Sequence, residues 1–239
     1  MNKTEFVANV LYKAALEEEK DWRKEKNSKY DVALADKMLA EAKKLGYHYK
    51  YFADITNRMH TDDSLLRLIM SYIGRFHDEG ISAQLVGVIG NKGNTFATEV
   101  ILNNYIKASS QEKHNQAIFY DNALYRIKDK RYLSVYLDFL KNPEDAIKLP
   151  LTMRMLGRWR VAEAKPYFLQ YLDSTLLYIN KETSDLVYTA MEALSYYDDP
   201  GGMILARIQS KKQNSDKNVV RAAEKAIKRL QKQDSLKEL

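Results

Sequence analysis

The chain has 239 residues, 45% of them hydrophobic, a net charge of +6, 9 Gly, 4 Pro and no Cys. So little Gly and Pro cannot supply the tight turns of a β-rich fold, and the lack of Cys excludes disulfide frameworks, thiolate nucleophiles and Cys-ligated zinc. Residues 203–239 hold 10 Lys+Arg against 4 Asp+Glu, which leaves 28 of each sign in residues 1–202 from totals of 38 and 32. The basic character therefore belongs to the C-terminal segment, where a solvated helix face competes with an anion-binding surface as its explanation.

Helical periodicity runs along the chain. Thr4 can cap a first helix to about Lys26, with Phe6, Val7, Val10, Leu11 and Leu16 apolar, before the polar break at Lys26 to Lys29. A second helix spans about Tyr30 to Leu45 and stops at Gly46, a residue suited to a left-handed C-terminal position. A third is expected over Tyr47 to Met59, although Tyr47, Tyr49 and Tyr51 alternate with a strand-like period. Thr61 to Ser64 offers capping residues for a helix from about Ser64 to His77. Later breaks fall at Gly90 to Asn94, Asn142-Pro143, Asp198 to Gly202 and Gln213 to Asp216. About 11 to 13 helices and no sheet of consequence are expected in all.

Met1 to Lys20 has no uninterrupted apolar core of the signal-peptide kind, and no stretch approaches about 18 apolar residues. The expected location is the cytoplasm.

An internal repeat is the most informative feature. Ile73, Leu124, Leu156, Leu194 and Ile227 share one register. Tyr72, Ala123, Met155, Ala193 and Ala226 precede them by one residue. Phe76, Ile127, Trp159, Tyr197 and Leu230 follow by three. This register places Leu124, Leu156, Leu194 and Ile227 in the core, and Trp159 with them. The first three helices each lead into a second one. There Leu85, Tyr136 and Phe168 correspond, then Val86, Leu137 and Leu169, then Ile89, Leu140 and Leu172. Such pairs cannot bury their apolar faces alone, and stacking makes one continuous core.

The run from Leu156 through Arg158, Trp159, Ala162, Pro166 and Phe168 to Leu169 resembles the helix-turn-helix unit of HEAT repeats. The likeness is to the short form of the phycobilisome-lyase-like family, and Asp216 to Leu230 resembles the opening helix of such a unit. The resemblance covers residues 62–232. It implies an all-α fold: a right-handed α-solenoid of stacked antiparallel helix pairs, an ARM-type superhelix. The repeat spacings are 51, 32, 38 and 33 residues, the differences between positions 73, 124, 156, 194 and 227. The first leaves room for an additional helix, Thr95 to Ala108. Residues 1–60 match poorly and form a helical cap or degenerate repeats. Residues 61–239 carry the repeats and a basic capping helix, in one continuous domain.

No catalytic constellation emerges. Gly90-Asn91-Lys92-Gly93-Asn94-Thr95 lacks the spacing and the preceding strand of a phosphate loop and reads as an interhelical turn. His48, His60, His77 and His114 make no HExxH or i, i+4 pair, so no metal or cofactor is expected. Asp62-Asp63 and Asp198-Asp199 fit a cap and a turn, and no GxSxG is present. Two clusters are candidates for binding a partner. Arg154, Arg158 and Arg160 flank Trp159, with Arg158 in register with Arg75 and Arg126 as a supporting ladder. Arg221, Lys225, Lys228 and Lys232 line one face of the last helix at spacings of four, three and four.

The leading expectation is a non-enzymatic interaction module that binds a protein partner. The alternative is a nucleic-acid binder or a protein like the HEAT-repeat DNA glycosylases, whose pocket needs aromatics plus an acidic residue. An accessory role in handling a chromophore rests on the short-repeat resemblance alone.

Overall fold

The structure is a computed structural model that describes residues 3–25, 28–56, 60–109, 114–173, 181–199, 201–214 and 216–235. It is all-helical. Among the described residues there are fourteen α-helices and no strand. In chain order they are α1 (Lys3–Trp22), α2 (Lys29–Lys44), α3 (Ala53–Thr56), α4 (Asp63–Tyr72), α5 (Glu79–Ile89), α6 (Thr98–Ser109) and α7 (His114–Ile127). Then come α8 (Leu133–Phe139), α9 (Pro143–Ala146), α10 (Pro150–Arg158), α11 (Lys165–Asp173), α12 (Lys181–Leu194), α13 (Met203–Ser210) and α14 (Lys217–Ser235). Two of these, α3 and α9, are single turns, which accounts for the excess over the expected number.

Local chemistry sets the helix ends. The Asp62 carboxylate accepts hydrogen bonds from the backbone N–H groups of Ser64 and Leu65 and starts α4. The Ser64 hydroxyl, then the Tyr47 hydroxyl, then the Leu65 N–H hold Asp62 at a pKa of about 2, below the usual carboxylate range. Asp78 caps α5 through Gly80, and Asn142 caps α9 with Pro143 in the first turn. Asp199 accepts from the Leu205 N–H at 2.7 Å inside α13. Gly46 ends α2 with φ at +94°, as expected. Helix α4 stops at Tyr72, short of His77, because Ile73 is extended and Gly74 turns at φ +77°.

The third expected helix is largely a turn. Tyr47 to Lys50 are not helical, and the rings of Tyr47 and Tyr49 stack at 5.9 Å, so the alternation prevails over helix there. Carboxylates supply the reason. Asp54 accepts from the N–H groups of Lys50 and Tyr51, and Glu19 accepts from those of Phe52 and Ala53. Donors taken up in this way fix a tight entry into the single turn of α3. Met59 and the Lys26-Asn27 break lie outside the described residues, as do the side chains of Phe6, Val7 and Val10.

The chain forms two compact units, residues 1–128 and 129–239. In the first, α1, α3, α5 and α7 pack successively as one row, while α2 packs on α4, α4 on α5 and α6 on α7. The core includes Met38, Ile69, Tyr72, Leu85, Ile89, Ile101 and Leu124. The additional helix expected at Thr95 to Ala108 is α6, opened by a 3₁₀ turn at Thr95–Ala97. Its insertion shifts the phase of the repeat. Helix α7 takes α5 as its lateral neighbour, so Leu124 lies in the α5 row, although its sequence register matches Ile73 at the end of α4.

In the second unit α12 packs between α10 and α14, and α11 packs on α12 and α13. Leu156 and Leu194 are fully buried, with Met155, Phe168, Leu172, Ala193 and Tyr197 around them. Ile227 and Trp159 depart from expectation and are half-buried. On α14 the adjacent Ala222, Ala223 and Ala226 take the buried seam and turn Ile227 toward its edge. Trp159 sits just beyond α10, with the Lys130 ammonium 5.4 Å from its ring centre.

The approach of α10 to α12 is close. A Cβ on Gly157 would stand 2.6 Å from Ala193 Cα and 2.7 Å from its carbonyl oxygen, so only glycine fits. Gly157→Ala should therefore lower stability by about 1–3 kcal/mol, the usual cost of overpacking, despite alanine's better helix propensity. Gly201, with nothing within 4 Å, provides the control. Urea denaturation should give a lower midpoint for Gly157→Ala and a near-unchanged one for Gly201→Ala. Equal midpoints would show that the seam is looser than described.

Candidate functional site

A groove of about 650 Å³ lies in the first unit, lined by α1, α3, α5 and α7. Helix α1 contributes Ala15, Glu18, Glu19 and Trp22, spaced so that they share one helix face. Helix α3 and the residue before it supply Phe52, Ala53 and Thr56, and α5 supplies Ile81, Gln84, Gly87 and Val88. Helix α7 supplies Phe119, Asn122 and Arg126, again on one face. The groove thus joins aromatic and aliphatic surface to carboxylates and a guanidinium.

Several of these groups are held by structure. Glu19 is buried, and besides capping α3 its carboxylate accepts from Arg23 Nε at 2.8 Å. Trp22 and Phe52 lie 6.2 Å apart, and Phe52 lies 5.6 Å from Phe76, which anchors the aromatic floor in the core. Gly87 leaves room for Phe119, since a Cβ there would stand 3.2 Å from the Phe119 ring. Glu18 and Arg126 are exposed at the first and last helices of the row, and Phe119 is 37% exposed, an unusual degree for a large aromatic.

The residues singled out from sequence lie in the second unit. The arginines flanking Trp159 are tied to the neighbouring helix, each at an offset of 38 residues. Arg154 Nε lies 2.8 Å from Glu192 Oε2, close enough for an ion pair without hydrogen-bond alignment. Arg158 Nε donates to the Tyr196 hydroxyl at 3.0 Å, and Arg160 pairs with Asp198 at 3.2 Å. Arg75 lies over the Tyr72 ring at 4.7 Å and Arg126 lines the groove, so each guanidinium of the expected ladder has its own setting. On α14, Arg221, Lys225, Lys228 and Lys232 are all exposed, as a solvated face requires. Arg229, which the stripe omitted, turns inward. It lies 4.3 Å from the centre of the Tyr196 ring and donates to Ser195 Oγ at 2.8 Å.

The groove does not stand out in the sequence. The signal was present as Trp22 and Phe119, large aromatics placed on the same helix faces as the charged Glu18 and Arg126. The Gly90 to Asn94 turn is packed internally: Asn91 donates to the His60 carbonyl, and Asn94 donates to the Ile89 carbonyl at 2.8 Å. His60 is buried with Nε2 3.0 Å from the Ile55 carbonyl, and His77 stacks on Tyr30. His48 is exposed, and the side chain of His114 lies outside the described residues. Burial pushes the hydroxyls of Tyr136, Tyr171 and Tyr197 well above the usual tyrosine range, so they stay neutral as packed rings. Among the described residues no three His, Asp or Glu side chains are placed to hold a metal, and no helix is long and apolar enough to cross a membrane.

No family model, curated protein or solved structure matches the chain.

The contacts separate two kinds of basic residue on α14. Exchanging Lys225 and Lys228 for Gln should leave the urea midpoint unchanged, because isolated exposed charges contribute little. Arg229→Ala should lower it by about 1 kcal/mol through loss of the aromatic contact. A larger effect from the lysine pair than from Arg229 would contradict this assignment.

Proposed function

We propose that the chain is a HEAT-like, right-handed α-solenoid of antiparallel helix pairs that binds a protein partner without chemical turnover. The register of the contacts between helices supports the solenoid reading. Three contacts tie α10 and the residue pair after it to α12 and its following turn at an offset of 38 residues. Arg229 meets Tyr196 at 33 residues, and Arg207 meets Asp173 between α13 and α11 at 34. The offsets of 38 and 33 equal repeat spacings in the sequence, whereas the 34 between α13 and α11 equals neither. Side-by-side helices contacting at one repeat length are what stacked units produce.

The groove carries the binding reading. Its exposed Phe119, packed floor and peripheral charges resemble the anchors and polar rim of protein interfaces. A chain without Cys fits a reducing compartment such as the cytoplasm. The nucleic-acid alternative gains one observation, since the groove unites Trp22, Phe52 and Phe119 with Glu18. Charge weighs against it. The lining offers Arg126 as a cation beside the carboxylates of Glu18, Glu19 and Asp78, whereas a duplex-binding surface needs several cations facing phosphates.

The test is recovery of partners from the native host on the immobilised full chain, with and without nuclease. A protein partner should be retained after nuclease treatment and lost with Phe119→Ala. Nuclease-sensitive recovery, or retention that ignores Phe119, would contradict this reading.

A further inference from the structure

The groove has a polarity that narrows the chemistry of its occupant. Its lining passes from α1 through α3 and α5 to α7, the order in which those helices pack. The exposed carboxylate of Glu18 stands on the first helix and the exposed guanidinium of Arg126 on the last. Trp22 shares α1 with Glu18 and Phe119 shares α7 with Arg126, and the intervening α3 and α5 stretch supplies the apolar Phe52, Ala53, Ile81 and Val88. Neighbouring helix axes stand about 8–10 Å apart, so the row spans roughly 24–30 Å. An extended chain covers about 3.3–3.6 Å per residue, so about eight residues cross it.

Resting on the reading that the groove is the binding face, we infer that it takes an extended peptide segment with Lys or Arg at the α1 end, bulky apolar residues in the middle and a carboxylate at the α7 end. Charge complementarity selects this occupant. Glu19 cannot serve as the acceptor, because its oxygens are engaged by Arg23 and by the N–H groups of Phe52 and Ala53. Glu18, one residue earlier and exposed, presents its charge to the groove. A cation there also lies beside an aromatic floor, whose ring faces attract it. At the other end Arg126 suits a carboxylate, which a guanidinium can grip with two parallel hydrogen bonds. An acidic segment would instead set its charges against Glu18, and like charges brought together discriminate against the wrong partner.

The experiment pans a library of random nine-residue peptides on the full chain. Affinities are then read from Trp22 fluorescence in a Trp159→Phe background, which leaves one tryptophan. Circular dichroism checks that each variant folds. Enriched peptides should carry a basic residue toward one end, an aromatic or branched aliphatic residue centrally and an acid toward the other. Glu18→Gln should weaken them about tenfold, equivalent to roughly 1.4 kcal/mol. Changing the peptide's basic residue to Glu should abolish binding to the parent chain and restore it to Glu18→Arg. Such rescue separates a direct charge contact from a merely structural role. Enriched peptides without a basic residue, or ones that ignore both Glu18 variants while Phe119→Ala abolishes them, would overturn the proposed chemistry and leave the groove as the binding face. No enrichment, or enrichment indifferent to Phe119→Ala, would overturn both. N-acetyl-arginine amide binding as tightly as the peptides would overturn the extended segment in favour of a small organic cation.

Discussion

Close approach of neighbouring helices is the constraint on which the second unit depends. The α10–α12 seam admits no side chain at Gly157, because the Ala193 backbone already fills the space a Cβ would need. The seam carried by α14 is likewise made of Ala222, Ala223 and Ala226. Short helices such as α10, nine residues long, cannot sustain themselves in water and draw their stability from packing an apolar face. Small residues at the seam let larger ones beside it, Leu156, Leu194 and Leu230, be fully enclosed. The first unit uses the same device where a Cβ on Gly90 would collide with Ala123.

Polar contacts then fix how far one helix slides past the next. Apolar faces tolerate small shifts, but an ion pair or an arginine over a ring does not. Arg154 with Glu192, Arg158 with Tyr196 and Arg160 with Asp198 select one register out of those that burial would accept. Each contributes little to stability because it is partly solvated. Their value lies in specifying alignment. In the first unit carboxylates have the comparable role: Glu19 and Asp54 bind the backbone around α3 and set the floor of the groove.

The legible part of the fold was the part governed by periodicity and end signals. Apolar registers place Leu124, Leu156 and Leu194 in the core, and Asp62 and Gly46 set helix ends as the sequence suggests. Tyr47 to Lys50 was misread because the decisive partners, Glu19 and Asp54, act on backbone donors, and Glu19 does so from 33 and 34 residues away. Leu124 was correctly judged buried yet assigned to the wrong row, since periodicity cannot say which neighbour a face will meet once α6 intervenes. The candidate site was less legible. Arginines clustered in sequence proved to be ties between helices, whereas the Glu18–Trp22 face of α1 and the Phe119–Arg126 face of α7 are far apart in the chain and meet only through packing. Only α14's exposed stripe could be read directly, because a helix face is a local property.

The central claim is that adjacent helices align at one repeat length, and the absence of native cysteine makes it testable by pairwise cross-linking. Cysteines introduced at positions 158 and 196 probe the 38-residue offset of α10 against α12. Cysteines at 158 and 192 probe a displacement of one turn, about 6 Å along the axis. With a short bifunctional thiol reagent, the 158–196 pair should cross-link faster than the 158–192 pair. Faster reaction of the 158–192 pair would mean that the helices stack in another register, and the repeat account would fail.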